Sequence, residues 1–548
     1  MPTPPSDEQL DAIRYAHNKV IIARPGSGKT FTLSQMIVKE SAELLSHQGI
    51  IAISHTRKAS AELRNRCIRH GAIRNKSFYG TIDSFCLNEI VYPFLSRYPG
   101  VARRLFIIDS VEEYDEAPKC RKKQLVVQAL KSGKLPINMS CGAALQILDT
   151  ASAAEDYIKA RYASVYVDEY QDCGEPQHEL IMKLSSIGLK TVVVGDLDQA
   201  IYRWCNKSPD HLSALLKSPN FKNFELTKNY RCHPSIINYS LCLLGYSYHP
   251  VPVEEFRVIR AQVLYADSET LRARGPVSYT DETSAINAFN KYLDGIKEKY
   301  AIENNSDIAV LARWKSTLRR CGEEADALEL PFKMHEDSPL DTRFSVWGSL
   351  FSSLLDAYYS FNKYAPDFVD KYISPYSDAK LRVKAIDLIS EYFSLSPTSL
   401  SKETGLAVKI AKLCEPDARD NADVSTYQSL VSNESMLKYY YNPAAVNEIN
   451  LMTYHKAKGL EFDAVVCLDM YDSVFPGPNR SEHYDVYKES LSLHYVGITR
   501  ARKVCYIPTA THRYKWNSRN RSYYPTPAKP SPFFKLRGVE RLRREVEW

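Results

Sequence analysis

Residues 23 to 30 read Ala-Arg-Pro-Gly-Ser-Gly-Lys-Thr and follow the apolar run Val20-Ile21-Ile22. This arrangement predicts a buried strand, a tight glycine-rich turn and a helix whose first backbone N–H groups converge on an anion. The Lys29 ammonium can then reach the β- and γ-phosphates of a nucleotide triphosphate, and the Thr30 hydroxyl can bind Mg²⁺. Ala23 stands where the strict phosphate-loop pattern has glycine, so the downstream sequence has to decide whether a nucleotide binds.

Two adjacent carboxylates give the second signal. The stretch Val165 to Asp172 reads Val-Tyr-Val-Asp-Glu-Tyr-Gln-Asp, so an apolar strand ends at Asp168 and Glu169. In this pattern the first carboxylate holds Mg²⁺ and the second polarises the attacking water. Capping of the next segment is the ordinary alternative for an isolated acidic pair. The phosphate loop before it and a second apolar strand, Thr191 to Asp196, favour the catalytic interpretation.

Further motifs follow in order between residues 9 and 502. They are Gln9, Ile50 to Ala59, Gly80 to Phe85, Val167 to Gln177, Gly195 to Trp204, Asn229 to Arg231, Met452 to Phe462 and Tyr495 to Arg502. On these motifs the chain resembles the UvrD/Rep/PcrA group of superfamily 1A DNA helicases. The HKAKGLEF and YVGITRA stretches within the last two motifs are typical of this group and not of the RNA-directed 1B helicases. The resemblance therefore implies a DNA substrate.

The resemblance implies an α/β protein with two RecA-like P-loop cores built on parallel sheets, each interrupted by a mainly helical insertion. Apolar strands alternate with amphipathic helical segments along the motifs, which agrees with this plan. The expected domains are 1–90 and 162–222 for the first core, 91–161 for its insertion, 223–345 and 446–548 for the second core, and 346–445 for its reduced insertion. Both insertions look shorter than in the long housekeeping helicases, which leaves strand separation by the isolated chain open.

The resemblance also assigns roles around ATP. Glu169 is the expected catalytic base and Gln199 the sensor of the γ-phosphate, and Arg231 and Arg500 resemble the paired arginine fingers of the second core. Arginine suits this role because its planar fork stays charged and binds pairs of oxygens. The expected ATP contacts are Gln9, Ala23, Gly26, Ser27, Gly28, Lys29, Thr30, Tyr230 and Glu461, and the expected Mg²⁺ contacts are Thr30 and Asp168.

Three positions depart from the family's pattern. Phe31 follows the phosphate-loop threonine where the family usually has arginine, which leaves strict selectivity for ATP open. Arg24 replaces a glycine within the loop, and Cys205 stands where the family often has arginine. Loop geometry and DNA affinity are therefore open as well.

Single-stranded DNA is expected to cross the tops of both cores. Tyr202 and Trp204 follow the sensor glutamine, and aromatic rings stack on bases regardless of sequence. A pair of core aromatics is the alternative for these two residues. The other expected DNA contacts are His55, Thr56, Thr81 and His455, of which His55 could stack on a base and the other three would contact the backbone or couple its position to the ATP cleft.

Composition adds less. The 548 residues carry 71 basic and 65 acidic side chains, and the net charge of +6 points only weakly to a polyanionic partner. Lys119 to Lys123 and Arg513 to Arg521 mix cations with aromatics or apolar residues, which suits either DNA contact or a solvated face. Twelve cysteines lack paired ligand spacing, so neither a zinc site nor an iron–sulfur cluster is expected. With no leader and no membrane-spanning apolar run, we expect a cytoplasmic protein.

Two functions stay open on the sequence. The first is an ATP-dependent DNA helicase or translocase that moves 3′ to 5′ on single-stranded DNA and unwinds duplex with a 3′ single-stranded tail, the polarity being implied by the resemblance alone. The second is a DNA-stimulated ATPase motor or sensor subunit that serves a nuclease partner, in recombination or in anti-phage defence of the Gabija type, and unwinds poorly by itself.

Overall fold

The computed structural model describes residues 4–54, 57–72, 76–101, 105–108, 110–201, 209–247, 250–263, 279–341, 345–359, 363–373, 378–416, 421–478, 484–517 and 522–548. The strands in these ranges are β1 Lys19–Ala23, β2 Gly49–Ile53, β3 Phe78–Gly80, β4 Phe106–Ile108, β5 Lys134–Pro136, β6 Tyr162–Val167, β7 Lys190–Gly195, β8 Lys222–Leu226, β9 Val258–Gln262, β10 Ile308–Ala312, β11 Phe332–Met334, β12 Ile449–Thr453, β13 Phe462–Cys467, β14 Ala501–Thr509, β15 His512–Asn517, β16 Ser522–Pro527 and β17 Arg544–Glu547.

The α-helices in the same ranges are Asp7–Arg14, Lys29–Ser41, Arg57–Arg69, Ile82–Phe85, Tyr92–Phe94, Glu112–Glu116, Lys119–Ser132, Ser140–Thr150, Ser152–Arg161, Glu175–Ser186, Asp210–Leu216, Pro234–Leu243, Glu282–Tyr300, Lys315–Ala327, Val346–Tyr359, Ala365–Tyr372, Ala379–Ser394, Thr404–Cys414, Asn421–Val431, Glu434–Tyr441 and Tyr484–Ile498. A π-helical segment spans Cys86–Val91. Within the described part of the chain, no helix has the length and apolar character needed to cross a bilayer.

The first core is a six-stranded parallel sheet with the order β3-β2-β6-β7-β1-β8. Its central strands are mainly apolar and almost entirely buried, as is usual for parallel strands covered on both faces. The helix Lys29–Ser41 covers one face and contributes Leu33 and Ile37. The helix Glu175–Ser186 covers the other face and contributes Leu180 and Leu184.

The boundary between the cores corrects one prediction. Strand β8 pairs with β1 along its full length, from Lys222 to Leu226, so the first core continues past the expected end at residue 222. Only Leu226 of this edge strand is buried. The segment therefore lacks the apolar run by which the inner strands are recognised, because an edge strand needs to cover only part of one face.

The first insertion packs directly onto the first sheet. Its helices between Tyr92 and Arg161 are joined by a small parallel ribbon of β4 and β5. Tyr114, Ile147 and Ile158 of the insertion lie in the same apolar cluster as Val165 of β6. The insertion and this face of the sheet therefore share one core.

The second core has a seven-stranded parallel sheet with the order β11-β12-β10-β13-β14-β9-β17. Two apolar layers cover its faces, one around Phe475 and Phe533 and the other around Phe289 and Val310. The antiparallel hairpin β15–β16 follows β14, and the last strand β17 then pairs with β9 at the sheet edge. The C-terminal segment thus belongs to this sheet.

The second insertion is a helical unit with its own apolar core around Phe351, Tyr392 and Tyr427. The sequence of this insertion predicts helices at 350–359, 379–392 and 406–413, and all three are present with slightly wider bounds. Ala365–Tyr372, Asn421–Val431 and Glu434–Tyr441 were not predicted, because they are short and the last two carry several polar or tyrosine residues. The stretch Ser-Pro-Tyr-Ser at 374–377 predicts a turn, but it lies outside the described residues. The predicted α/β fold with two parallel-sheet cores and mainly helical insertions is confirmed.

Candidate nucleotide and DNA sites

The phosphate loop lies between β1 and the helix Lys29–Ser41. Gly26 and Gly28 adopt left-handed backbone angles, with φ of 70° and 82°. A Cβ atom on Gly26 would approach Cβ of Arg231 to 2.7 Å, and one on Gly28 would approach Nε2 of Gln9 to 2.6 Å. Gly28 caps the helix without a side-chain hydrogen bond, so the first N–H groups of the helix are oriented towards an incoming anion.

Gln9 and Tyr230 lie on either side of this loop. The Gln9 amide donates to the Ser27 carbonyl at 3.0 Å and accepts from the Ser6 N–H at 3.0 Å. The backbone N–H of Tyr230 donates to the Gly26 carbonyl at 2.8 Å, and the tyrosine is 46% exposed. The ring can therefore cover an adenine, whereas Gln9 is 4% exposed and already uses its amide oxygen and one amide hydrogen within the protein.

Asp168 and Glu169 follow β6 at the same edge of the sheet. Glu169 has a positive φ of 55°, which is uncommon for a residue other than glycine and is typical of functional sites. Its N–H donates to Oδ1 of Asp168 at 2.9 Å, and Nζ of Lys29 lies 3.3 Å from its Oε1. Burial opposes ionisation of Glu169, but the charges of Lys29 and Lys458 hold its pKa well below the usual range.

The Asp168 carboxylate has the character of a cation ligand. Burial, together with the charge of Glu169, raises the pKa of Asp168 to about 6, and a bound cation would relieve this cost. A buried carboxylate and the Thr30 hydroxyl are oxygen donors, as Mg²⁺ prefers. The described residues contain no cluster of three His, Cys, Asp or Glu side chains suited to a metal, and Mg²⁺ shared with phosphates does not require one. These residues therefore fit Mg²⁺.

Gln199 connects the two cores. Its amide nitrogen donates to Oδ2 of Asp196 at 2.6 Å, and its amide oxygen accepts from Nη2 of Arg500 at 3.3 Å. Arg500 is 1% exposed and also donates to the Leu460 carbonyl at 3.2 Å. Burial and the neighbouring charge of Arg231 lower the pKa of Arg500 to about 10, which leaves the guanidinium charged at neutral pH.

Arg231 lies beside the loop on the side of the second core. Its Nε donates to Oε2 of Glu461 at 2.6 Å, and Glu461 also lies 3.5 Å from Nη1 of Arg502. The structure thus brings Arg231, Arg500 and Glu461 together at the cleft. Glu461, expected to contact ribose, is here the ion-pair partner of Arg231.

Three residues of the cleft were not singled out from the sequence. Lys458 donates to Asp172 at 2.6 Å and to the Gln199 carbonyl at 2.9 Å, and its Nζ is 3.5 Å from Glu169. Gln171 donates to the Glu169 carboxylate and accepts from the Asp196 N–H at 3.0 Å. Lys458, Gln171 and Asp172 all lie inside motifs identified from the sequence, so their polar character within those motifs was the available signal.

The segment 454–461 runs from the carboxyl ends of the strands in the second sheet back to their amino ends. Strands β12 and β13 both pair in parallel with β10, so this segment leads from the carboxyl end of β12 back to the amino end of β13. His455 lies at its start, Lys458 in its middle and Glu461 at its end. The crossover therefore carries a predicted DNA contact and two cleft residues within one short stretch.

Comparisons with known proteins agree with this geometry. The UvrD/REP helicase N-terminal domain family matches residues 6–112 and 122–220, and the UvrD-like helicase C-terminal domain family matches residues 411–512. The chain belongs to the UvrD-like DNA helicases. Membership of this family makes it an ATP-driven DNA helicase.

Individual relatives cover nearly the whole chain. The Gabija protein GajB of Bacillus cereus (strain VD045) is 24% identical, with 91% of this chain and 93% of GajB covered. The ATP-dependent DNA helicase PcrA of Leuconostoc citreum is 23% identical, with 93% of this chain and 82% of PcrA covered. The probable DNA helicase II homolog of Mycoplasma pneumoniae is 22% identical, with 89% and 81% covered.

The predicted DNA contacts of this UvrD-like helicase are only partly described. His55, Thr56, Tyr202 and Trp204 lie outside the described residues. Thr81 follows β3 and caps the helix Ile82–Phe85, where its hydroxyl accepts from the Ser84 N–H at 3.3 Å. The backbone of Ile201 in the first core lies close to the His455 ring, and burial with the nearby charge of Arg313 lowers the pKa of this histidine to about 4. A neutral histidine that contacts the first core favours coupling over neutralisation of a phosphate.

The two basic segments differ. In the first, Lys119 pairs with Glu179, Arg121 lies 3.1 Å from Glu113 and Lys122 lies 3.6 Å from Glu175. Acidic partners neutralise these cations, which favours a solvated face. The second segment forms the hairpin β15–β16. In this hairpin Tyr523 pairs with Trp516 and Tyr524 with Lys515, and the two tyrosines are 44% and 43% exposed. The hairpin keeps the mixture of cations and open rings that suits DNA.

Proposed function

We propose that this helicase binds ATP with Mg²⁺ in the cleft between its cores, moves 3′ to 5′ along single-stranded DNA and unwinds duplex that carries a 3′ single-stranded tail. The observation that carries the proposal is Gln199, whose amide bonds Asp196 of the first core and Arg500 of the second. A sensor with one partner on each core couples the state of the nucleotide to the distance between them.

The chemistry follows from the residues around Glu169. Its carboxylate stays ionised beside Lys29 and Lys458, so it can accept a proton from a water in line with the γ-phosphate. Arg231 and Arg500 would neutralise charge on the transferred phosphoryl group. Bound Mg²⁺, held by Asp168 and Thr30, would neutralise the β- and γ-oxygens. Closure of the cleft completes this set because the arginines and Lys458 come from the second core.

A second function is supported by one comparison. The chain covers 93% of GajB but 82% of PcrA, so its length matches a Gabija protein more closely than a housekeeping helicase. In this alternative the chain is a DNA-stimulated ATPase motor or sensor subunit. A nuclease partner would then supply the cutting activity in anti-phage defence or repair.

Strand release from tailed duplexes separates these functions. The purified chain with ATP and Mg²⁺ is mixed with three fluorescent duplexes, one with a 3′ tail, one with a 5′ tail and one blunt. The helicase proposal expects release of the 3′-tailed duplex alone. Release of the 5′-tailed duplex alone would overturn the polarity.

The subunit alternative expects DNA-stimulated ATP hydrolysis without release. A pull-down of the full chain from its native cells, with identification of the co-purifying proteins, then tests for a nuclease. Efficient release by the chain alone together with the lack of any nuclease in the pull-down would contradict this alternative.

A further inference from the structure

Trp314 is an exposed tryptophan on the second core. The residue is 49% exposed, whereas Trp347 inside the second insertion is 4% exposed. A single exposed ring is common on protein surfaces and needs no explanation by itself. The position of this ring, the fixed backbone that carries it and the cations near it point to a ligand.

The strand register places Trp314 beside His455. Ala312 at the end of β10 pairs with Thr453 at the end of β12, and each chain continues two residues, to Trp314 and His455. Both residues therefore leave the carboxyl edge of the second sheet next to one another. The backbone of Ile201 lies close to the His455 ring, and Ile201 directly precedes the predicted base-stacking segment of the first core.

The backbone of Trp314 is held firmly. Oδ2 of Asp469 accepts from the N–H of Arg313 at 2.8 Å and from the N–H of Trp314 at 3.4 Å. Oδ1 of Asp469 accepts from the Thr317 hydroxyl at 3.0 Å, and Asp469 itself is 3% exposed. The ring thus projects from a fixed backbone turn, so only its side-chain torsions have to be ordered when a ligand stacks on it.

One cation lies beside the ring, and two more lie next to Trp314 or His455 in the chain. The Arg313 guanidinium lies 5.5 Å from the ring centroid and donates to the Val474 carbonyl at 2.6 Å and to Oγ of Ser490 at 3.1 Å. Lys315, the next residue along the chain, and Lys456, which follows His455, lie 3.1 Å and 2.7 Å from oxygens of Asp337. Arg313, Lys315 and Lys456 supply cations that can attract the phosphates that flank a base in single-stranded nucleic acid.

We propose that Trp314 is a base-stacking platform for single-stranded DNA on the second core. The inference rests on the proposed movement along single-stranded DNA and adds a base contact that belongs to the second core. Stacking on an indole is tolerant of sequence, as translocation requires. The second core can then hold a base independently of the contacts made by the first core.

Binding of a fluorescent single-stranded oligothymidine tests the proposal, with the anisotropy titrated for the full chain and three variants. Trp314→Ala should weaken binding between about fivefold and a hundredfold, the loss expected for one base stack. Trp314→Phe should bind within about threefold of the wild type because it keeps an aromatic face. Tyr364→Ala removes a ring of matched exposure, 48%, in the second insertion and should leave binding unchanged.

The outcomes separate this inference from the function on which it rests. If the wild type binds DNA and Trp314→Ala binds equally well, the inference is wrong and the proposed translocation stands. Equal weakening by Trp314→Ala and Trp314→Phe would also overturn stacking. Failure of the wild type to bind the oligothymidine would overturn both. Melting temperatures of all variants within about 2 °C of the wild type are expected, because an exposed ring contributes little to stability.

Discussion

The two cores present opposite edges of their sheets to the cleft between them. In the first core, the phosphate loop, Asp168 and Asp196 all follow the carboxyl ends of strands β1, β6 and β7. In the second core, Glu461 and Arg500 directly precede the amino ends of β13 and β14. The carboxyl edge of the second sheet instead carries His455 and Trp314.

The two cores therefore contribute different chemical groups to the cleft. The first core supplies the phosphate loop and the acids, and the second core supplies cations that reach across to Glu169 and Gln199. Neither core holds a complete site. On the proposed mechanism, hydrolysis therefore depends on closure of the cleft, and variants on its two sides should fail in different ways.

Removal of the acid or the ammonium on the first core should have the largest effect. Glu169→Gln should retain ATP binding but stop turnover, since the amide cannot accept the proton of the attacking water. Lys29→Ala should abolish hydrolysis because the charge on the β- and γ-oxygens is lost. ATPase rates and binding of a fluorescent ATP analogue measure both. Near-native hydrolysis by Glu169→Gln would remove Glu169 from the role of base.

Loss of the two cleft arginines of the second core should have the next largest effect. Arg231→Ala and Arg500→Ala should each lower turnover by a factor on the order of 10³, as loss of an arginine finger does elsewhere. Lys503→Ala is the matched control. Lys503 is a cation on β14 next to Arg502 and three residues after Arg500, and its charge pairs with Asp463 at 2.7 Å. A loss of only twofold in both arginine variants would mean that the second core does not complete the site.

Lys458→Met should have a smaller effect that sharpens the comparison. Lys458 positions Glu169 and Asp172 from the second core, and misplacement of a catalytic group by about 1 Å can cost roughly 10²-fold in rate. We expect kcat to fall by up to this factor while ATP binding is retained. A raised KM with unchanged kcat would assign Lys458 to binding instead.

The smallest effect concerns acid stability of the second core. His494 is fully buried between Phe475 and Phe533, both ring nitrogens lack a hydrogen-bond partner in the described residues, and burial lowers its pKa to about 3. Because the unfolded histidine titrates near 6.5, the unfolded state binds more protons between these values, and stability falls as pH drops from about 6.5 towards 3. Between pH 7 and pH 5, the melting temperature of His494→Leu should therefore fall less than that of the wild type. Parallel losses in the two proteins would contradict this.

The sequence predicted the first core better than the second for a physical reason. Ligands bind at the carboxyl ends of the strands in open α/β sheets, so residues there can be located from the strand pattern. Asp168 directly follows β6, and Lys29 follows the glycine-rich turn after β1. Arg500 and Glu461 precede their strands, so only the family resemblance indicated them. Lys458 escaped because its role depends on a contact across the cleft, which no local pattern encodes.

The unequal packing of the two insertions has a consequence for how the molecule opens. The first insertion shares its apolar core with the sheet, so the two must unfold together. The second insertion buries its own cluster from Leu340 to Tyr441 and is built as a separate cooperative unit. Its amides can exchange with solvent through local opening while both motor sheets stay intact. Changes of sequence or length are therefore best tolerated there, and a surface specific for one partner could evolve in this unit without disturbing the ATP cleft.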